Sequence, residues 1–397
     1  MSNFDDIRPY NDAEVLPTIQ KLLAEPELLS AVASLKFPEA SKRFPKLLAM
    51  LAKGFLSWEL RGVNTVADWQ IVLERYLKKN LDATTAGISF SGLENLDRNG
   101  PYLFVSNHRD IAMDPACINW VLHHNGFSTL RIAIGDNLLS KQYVSDLMRL
   151  NKTFIVNRSA KSPKEKLKAA KHLSAYIYHS LTQDKSNIWI AQREGRAKDG
   201  RDITNRAIIS MFGLNKPKQE SFSDYIAELR IVPVAISYEW DPCDTAKANE
   251  LHHLQTVGEY AKQQHEDVES IAKGIAGFKG HVHMAFGEVL GTGFNDAEAV
   301  ALEIERQIHA NYVLHASNLA AYQQLYKQVP EALTFGVEGT HFHADEQEAA
   351  VAELLRRVNS VPDQHKTILL AGYANPVLSK LAHLDALGVA NATQTQA

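Results

Sequence analysis

Residues 102–115 read Tyr-Leu-Phe-Val-Ser-Asn-His-Arg-Asp-Ile-Ala-Met-Asp-Pro. The short apolar run Tyr102-Leu-Phe-Val-Ser stops at Asn107-His108, which predicts a buried strand giving way to a loop. Asp114-Pro115 has the form of a helix start, with aspartate as N-cap and proline at the first helical position. Outward from this unit the same alternation recurs. Strand-like runs stand at Gly87-Ile-Ser-Phe-Ser, Leu130-Arg-Ile-Ala-Ile, Thr153-Phe-Ile-Val, Asn187-Ile-Trp-Ile-Ala, 230–238 and 281–286. Helices are expected between most of them, at 114–124, 164–181 and 251–276. Strands alternating with helices predict an α/β fold: a largely parallel sheet with helices on its faces. Ligand sites in such sheets gather at the carboxyl ends of the strands.

N- and C-terminal helical regions flank that core. Thr18-Ile-Gln-Lys-Leu-Leu-Ala-Glu and Phe44-Pro-Lys-Leu-Leu-Ala-Met-Leu carry apolar residues at three- and four-residue spacing. Helical patterns return at 297–326, 345–358 and 367–384, and 391–397 read as a frayed tail. The pattern therefore divides the chain into an N-terminal helical region 1–84, an α/β domain 85–295 and a C-terminal helical extension 296–397.

Composition narrows the function classes. In 397 residues, 45% are hydrophobic and 22% charged, enough to bury a large core without disulfides or structural metal. A net charge of -4 and an isoelectric point near 6.5 argue against a nucleic-acid partner. Mean hydropathy is -0.23, and no apolar run approaches the roughly 18 residues of a membrane span. The opening Met-Ser-Asn-Phe-Asp-Asp has early acids and no apolar stretch, so no secretory signal is expected. Cys117 and Cys243 stand alone, which suits a reduced, cytoplasmic compartment.

A histidine just beyond a buried strand, with acids downstream, suits a general base oriented by a carboxylate. Imidazole titrates near neutrality, and His108 could accept a hydroxyl proton while Asp114 or Asp110 holds its ring. Helix capping is the competing use of Asp114. Arg158 follows one strand-like run, and Arg193, Glu194, Arg196, Lys198 and Arg201 follow another. Guanidinium groups converging at strand ends make a phosphate site, because the planar fork pairs two oxygens at once; a solvated loop is the alternative. Histidine pairs at 123/124, 252/253, 281/283 and 341/343 have no accompanying carboxylate or cysteine cluster, so no metal is expected. The basic stretch 161–172 reads as a solvated helix face, or as a docking face for an anionic membrane, an acidic carrier protein or the phosphates of CoA.

Taken together, these residues resemble the glycerolipid acyltransferases, which include glycerol-3-phosphate and 1-acylglycerol-3-phosphate acyltransferases. That family has four ordered blocks: His-x4-Asp, Gly-x-x-Phe-Ile-x-Arg, Glu-Gly-Thr-Arg-Ser and Val-Pro-Val. Here they stand in the same order as Asn107-His108 to Asp114-Pro115, Phe154-Ile-Val-Asn-Arg158, Glu194-Gly195-Arg196 and Val232-Pro233-Val234. The likeness covers about 86–294. Three departures are visible: five residues separate His108 from Asp114, Lys152 lies in the usual glycine region, and Glu194-Gly195 runs into Arg196 without a threonine. The position before Pro115 favours Asp114 over Asp110 as the partner of His108.

The resemblance implies transfer of an acyl group from acyl-CoA or acyl-carrier protein to a hydroxyl of a phosphorylated glycerol or lysolipid, with no cofactor beyond that co-substrate. His108 and Asp114 would be catalytic. Arg158 and Arg196 would hold the acceptor phosphate, Glu194 and Gly195 would shape its site, and Pro233 would mark the fourth block. No Gly-x-Ser-x-Gly elbow and no P-loop compete with this chemistry. Peripheral contact with the cytoplasmic face of a membrane is the expected membrane mode. The alternatives are another lysolipid acceptor, or a non-catalytic lipid- or carrier-binding protein on the same fold.

Overall fold

The computed structural model describes residues 4–387 except 140, 264, 331–332 and 337–342. His341 and the expected tail at 391–397 lie outside the described residues. The boundaries at 84 and 295 mark changes of pattern; contacts group the chain into two units, residues 1–79 with 130–176 and residues 80–129 with 177–397.

Among the described residues the larger unit holds five strands: β1 (Gly87–Ser91), β2 (Leu103–Ser106), β5 (Ile188–Ala191), β6 (Ile231–Tyr238) and β7 (His281–Phe286). Their order is β1-β7-β6-β2-β5. All four residues of β2 and all eight of β6 are buried. Strands buried on both faces read as unbroken apolar runs, which is why these segments show no alternation. Leu103 pairs with both Ile188 and Ile231, and Ser106 with both Ala191 and Val234, all in parallel.

Every pairing given above is parallel except β6 with β7, which is antiparallel; β7 in turn runs parallel to β1. That register explains the proline inside a central strand. Val234 faces Phe286, the last residue of β7, so Pro233 falls opposite Gly287, where the ladder ends. Its missing N–H deprives no β7 carbonyl, and its own carbonyl accepts the Gly287 N–H at 2.8 Å.

The helices of this unit depart from expectation chiefly at their ends. The stretch 251–276 is two helices, Asp244–Val257 and Glu266–Ala276. Gly258, at φ +85°, supplies the left-handed cap that ends the first of them. The stretch 297–326 breaks likewise into Ala297–Asn311 and Ala316–Tyr326, the second opening on His315, whose N–H is held by the Asn318 side chain at 2.8 Å. Asp363–Ala386 is continuous through Pro376.

In the smaller unit β3 (Arg131–Gly135) and β4 (Thr153–Val156) pair in parallel. Proline is the first residue of the helices Pro26–Lys36, Pro38–Arg43 and Pro45–Glu59. Its fixed φ and missing N–H suit that position alone within a helix. Val15, Ile19, Leu22, Val63, Trp69, Val72 and Leu150 form the core of this unit.

Candidate active site

Where β2 stops, Asn107 carries the ladder one step further with its side chain. Its Oδ1 accepts the Ile236 N–H at 2.7 Å, and its Nδ2 donates to the Ile236 carbonyl at 3.0 Å. The chain then leaves the sheet in a loop, and the next helix begins at Met113. The extra residue between His108 and Asp114 therefore sits in loop, where it turns no helix face.

His108 Nδ1 lies 2.8 Å from Asp114 Oδ2. The same oxygen accepts the backbone N–H of Arg109 at 2.7 Å and of Asp110 at 3.0 Å. Asp114 Oδ1 accepts the hydroxyl of Tyr238 at 2.8 Å. A carboxylate only accepts, so Nδ1 carries the imidazole proton and Nε2 presents its lone pair. The Trp189 ring meets the imidazole edge-on, with centroids 5.8 Å apart.

Asp110 has a different task. Its Oδ1 accepts the N–H groups of Ala112 and Met113, both at 2.9 Å, steadying the approach to the helix. Burial, and then the negative charge of Asp114, raise its pKa above the usual carboxylate value. Asp114 itself, inside the first turn, points back toward His108 instead of capping the helix.

The loop is braced from behind by buried charges. Arg109 Nη2 donates to Asp202 Oδ2 at 2.6 Å and to the Gly200 carbonyl at 3.1 Å. Asp202 Oδ2 also accepts from Asn107 Nδ2 at 3.1 Å. The Lys247 ammonium donates to the Arg109 carbonyl at 2.7 Å and pairs with Asp241. Burial would raise the Asp241 carboxyl, but Lys247 outweighs it and holds the group below its ordinary range.

The third block reaches the same loop through its backbone, the Ala197 N–H donating to the His108 carbonyl at 2.8 Å. Glu194 and Gly195 are exposed, Gly195 at φ +72°. Arg196 is buried; its Nη2 donates to Ser270 Oγ at 3.3 Å, and its Nη1 has no hydrogen-bond partner among the described residues. Pro233 lies in β6, level with Val105 of β2. Arg158 belongs to the smaller unit, following β4, with its N–H donating to Asp136 Oδ1 at 3.0 Å.

Sequence reasoning missed Asn107, Tyr238 and Lys247 as parts of this arrangement. Asn107 stood inside the quoted motif. Tyr238 ends an apolar run with a hydroxyl that burial obliges to find a partner, and that was the available signal. Lys247 gave none. His281 and His283 both meet Ser89, whose Oγ lies 2.7 Å from His281 Nε2 and from His283 Nδ1.

Comparison with known proteins agrees with the ordered blocks. Residues 87–237 match the family model described as Acyltransferase. No curated protein matches. Among solved structures, the chain is similar to the 1-acyl-sn-glycerophosphate (LPA) acyltransferase PlsC of Thermotoga maritima, at 14% identity and a TM-score of 0.35, over 72% of this chain and 95% of that one. The four blocks quoted from the sequence all fall within residues 87–237, the stretch that matches the acyltransferase family model.

Proposed function

We propose that this protein transfers a fatty acyl group from a thioester to a hydroxyl of a phosphorylated glycerol or lysolipid acceptor. One observation carries the reading: a histidine held at Nδ1 by a buried carboxylate, with Nε2 unbonded among the described residues, inside an acyltransferase domain. Nε2 takes the acceptor's hydroxyl proton as the oxygen attacks the thioester carbonyl. The new C–O bond forms, the C–S bond breaks, and the imidazolium returns its proton to the departing thiolate. Asp114 stabilises the imidazolium between these steps.

Arg158 and Arg196 are proposed to hold the acceptor phosphate; the buried Nη1 of Arg196, unpartnered among the described residues, supports that role. Glu194 and Gly195 would border the same pocket. Exposed lysines at 161, 164, 166, 168 and 171 suit the phosphates of CoA or an acidic carrier protein.

Among the described residues no helix is long and apolar enough to cross a membrane. Around the helix Pro45–Glu59, Phe44 (59%), Met50 (63%) and Trp58 (70%) are exposed, with Lys46 and Lys53 nearby, which supports peripheral contact with an anionic bilayer.

The test is transfer by the purified chain from labelled acyl-CoA and acyl-carrier protein to glycerol-3-phosphate, 1-acylglycerol-3-phosphate and other lysolipids. Transfer to a phosphate-bearing acceptor is expected; none to any acceptor would favour a binding protein. Arg158→Ala and Arg196→Ala should each raise the acceptor KM by about one to two orders of magnitude and spare the donor KM. The opposite pattern would assign the arginines to the donor. Flotation with anionic vesicles should be lost on replacing Phe44, Met50 and Trp58 by serine, and unchanged flotation would remove that surface from the account.

A further inference from the structure

β6 runs four residues past the end of β2, since Ser106 pairs with Val234 and the strand continues to Tyr238. Asn107 bonds both backbone groups of Ile236 in this overhang. Tyr238, two residues on, shares the strand face of Ile236 and reaches Asp114 with its hydroxyl. Asp114 Oδ2 is already occupied by His108 Nδ1 and two backbone N–H groups. Tyr238 is the donor on the other oxygen. Rotation about the Cβ–Cγ bond would carry both oxygens off their donors, and Tyr238 is the donor that resists it from the Oδ1 side.

The phenol is suited to this one task. Burial, then the charge of Asp114, lift its pKa well above the ordinary tyrosine value, so it remains an O–H donor. Cys117 and Asp110 also border it, and burial pushes the Cys117 thiol up to about 12, leaving it neutral.

Resting on the reading of His108 as general base, we propose that Tyr238 is a positioning residue for acyl transfer. It fixes the plane of the Asp114 carboxylate, so that Oδ2 faces Nδ1 and the Nε2 lone pair stays aimed at the acceptor hydroxyl. The fourth block thereby reaches the chemistry through the far end of its strand.

The experiment is steady-state kinetics of Tyr238→Phe, each substrate varied in turn, beside His108→Ala and with thermal unfolding of every variant. Losing a charge-assisted hydrogen bond should lower kcat about tenfold, with both KM values within about twofold. In an Asp114→Asn background the same substitution should cost no further kcat, because its route runs through the carboxylate. The double variant strands no buried charge, so it stays readable if Tyr238→Phe alone unfolds. Unchanged kcat in Tyr238→Phe, an equal loss in both backgrounds, or a loss confined to KM would overturn the proposal. A fully active His108→Ala variant would overturn the reading beneath it, whatever Tyr238→Phe does.

Discussion

Four hydrogen bonds converge on the two oxygens of Asp114, from His108, Arg109, Asp110 and Tyr238. Such a carboxylate is committed to one orientation, and that commitment separates it from Asp110, which serves the backbone of Ala112 and Met113. Asp114→Asn should therefore lower kcat by about two to four orders of magnitude. Asp110→Asn should act mainly on stability, by about 1 kcal/mol. Kinetics and denaturation of the two variants measure this, and the reverse ranking would give the imidazole to Asp110. His108 and Asp114 were legible because the motif is local, its two residues six positions apart. Tyr238 and Lys247 were not, since they arrive from 124 and 138 positions away and only strand pairing and helix packing bring them in.

At the level of elements, strands buried on both faces declared themselves as apolar runs, and the helix boundaries at Pro26, Pro38, Pro45 and Gly258 carry proline or glycine signals that local chemistry explains. The antiparallel entry of β7 was not legible, because direction leaves no mark on an apolar run. Nor was the turn at Gly200, which is set by a distant helix. Gly200 sits at φ +78°, and a Cβ there would lie 2.2 Å from the Gly372 carbonyl oxygen in the helix Asp363–Ala386. Its own carbonyl holds Arg109. Gly200→Ala combines a left-handed backbone with a backbone clash and should cost about 2 kcal/mol or more. Chemical denaturation checks it: a change under about 0.5 kcal/mol would mean the helix yields freely at this turn.

Across the whole molecule, acid should act through buried histidines before it reaches the carboxylates. Burial pushes His283 down to about 4 and His315 down to about 3. Both are neutral in the fold, whereas an unfolded histidine takes up its proton near about 6.5. Below that pH the unfolded chain binds more protons, so stability is full above about 6.5 and falls as pH drops toward 4. The slope is up to about 1.4 kcal/mol per pH unit for each histidine. Denaturation at pH 7, 6 and 5 should show the fall, and His315→Gln should flatten it; a level profile would show that these groups protonate within the fold. The proposed proton transfer runs through one side chain, and His108→Ala reads it most directly. Acceptor-dependent acyl transfer from a labelled thioester is measured alongside thermal unfolding. The expected result is a loss of about two to four orders of magnitude with an unchanged unfolding midpoint; a folded variant transferring at the parent rate would exclude His108 as the general base.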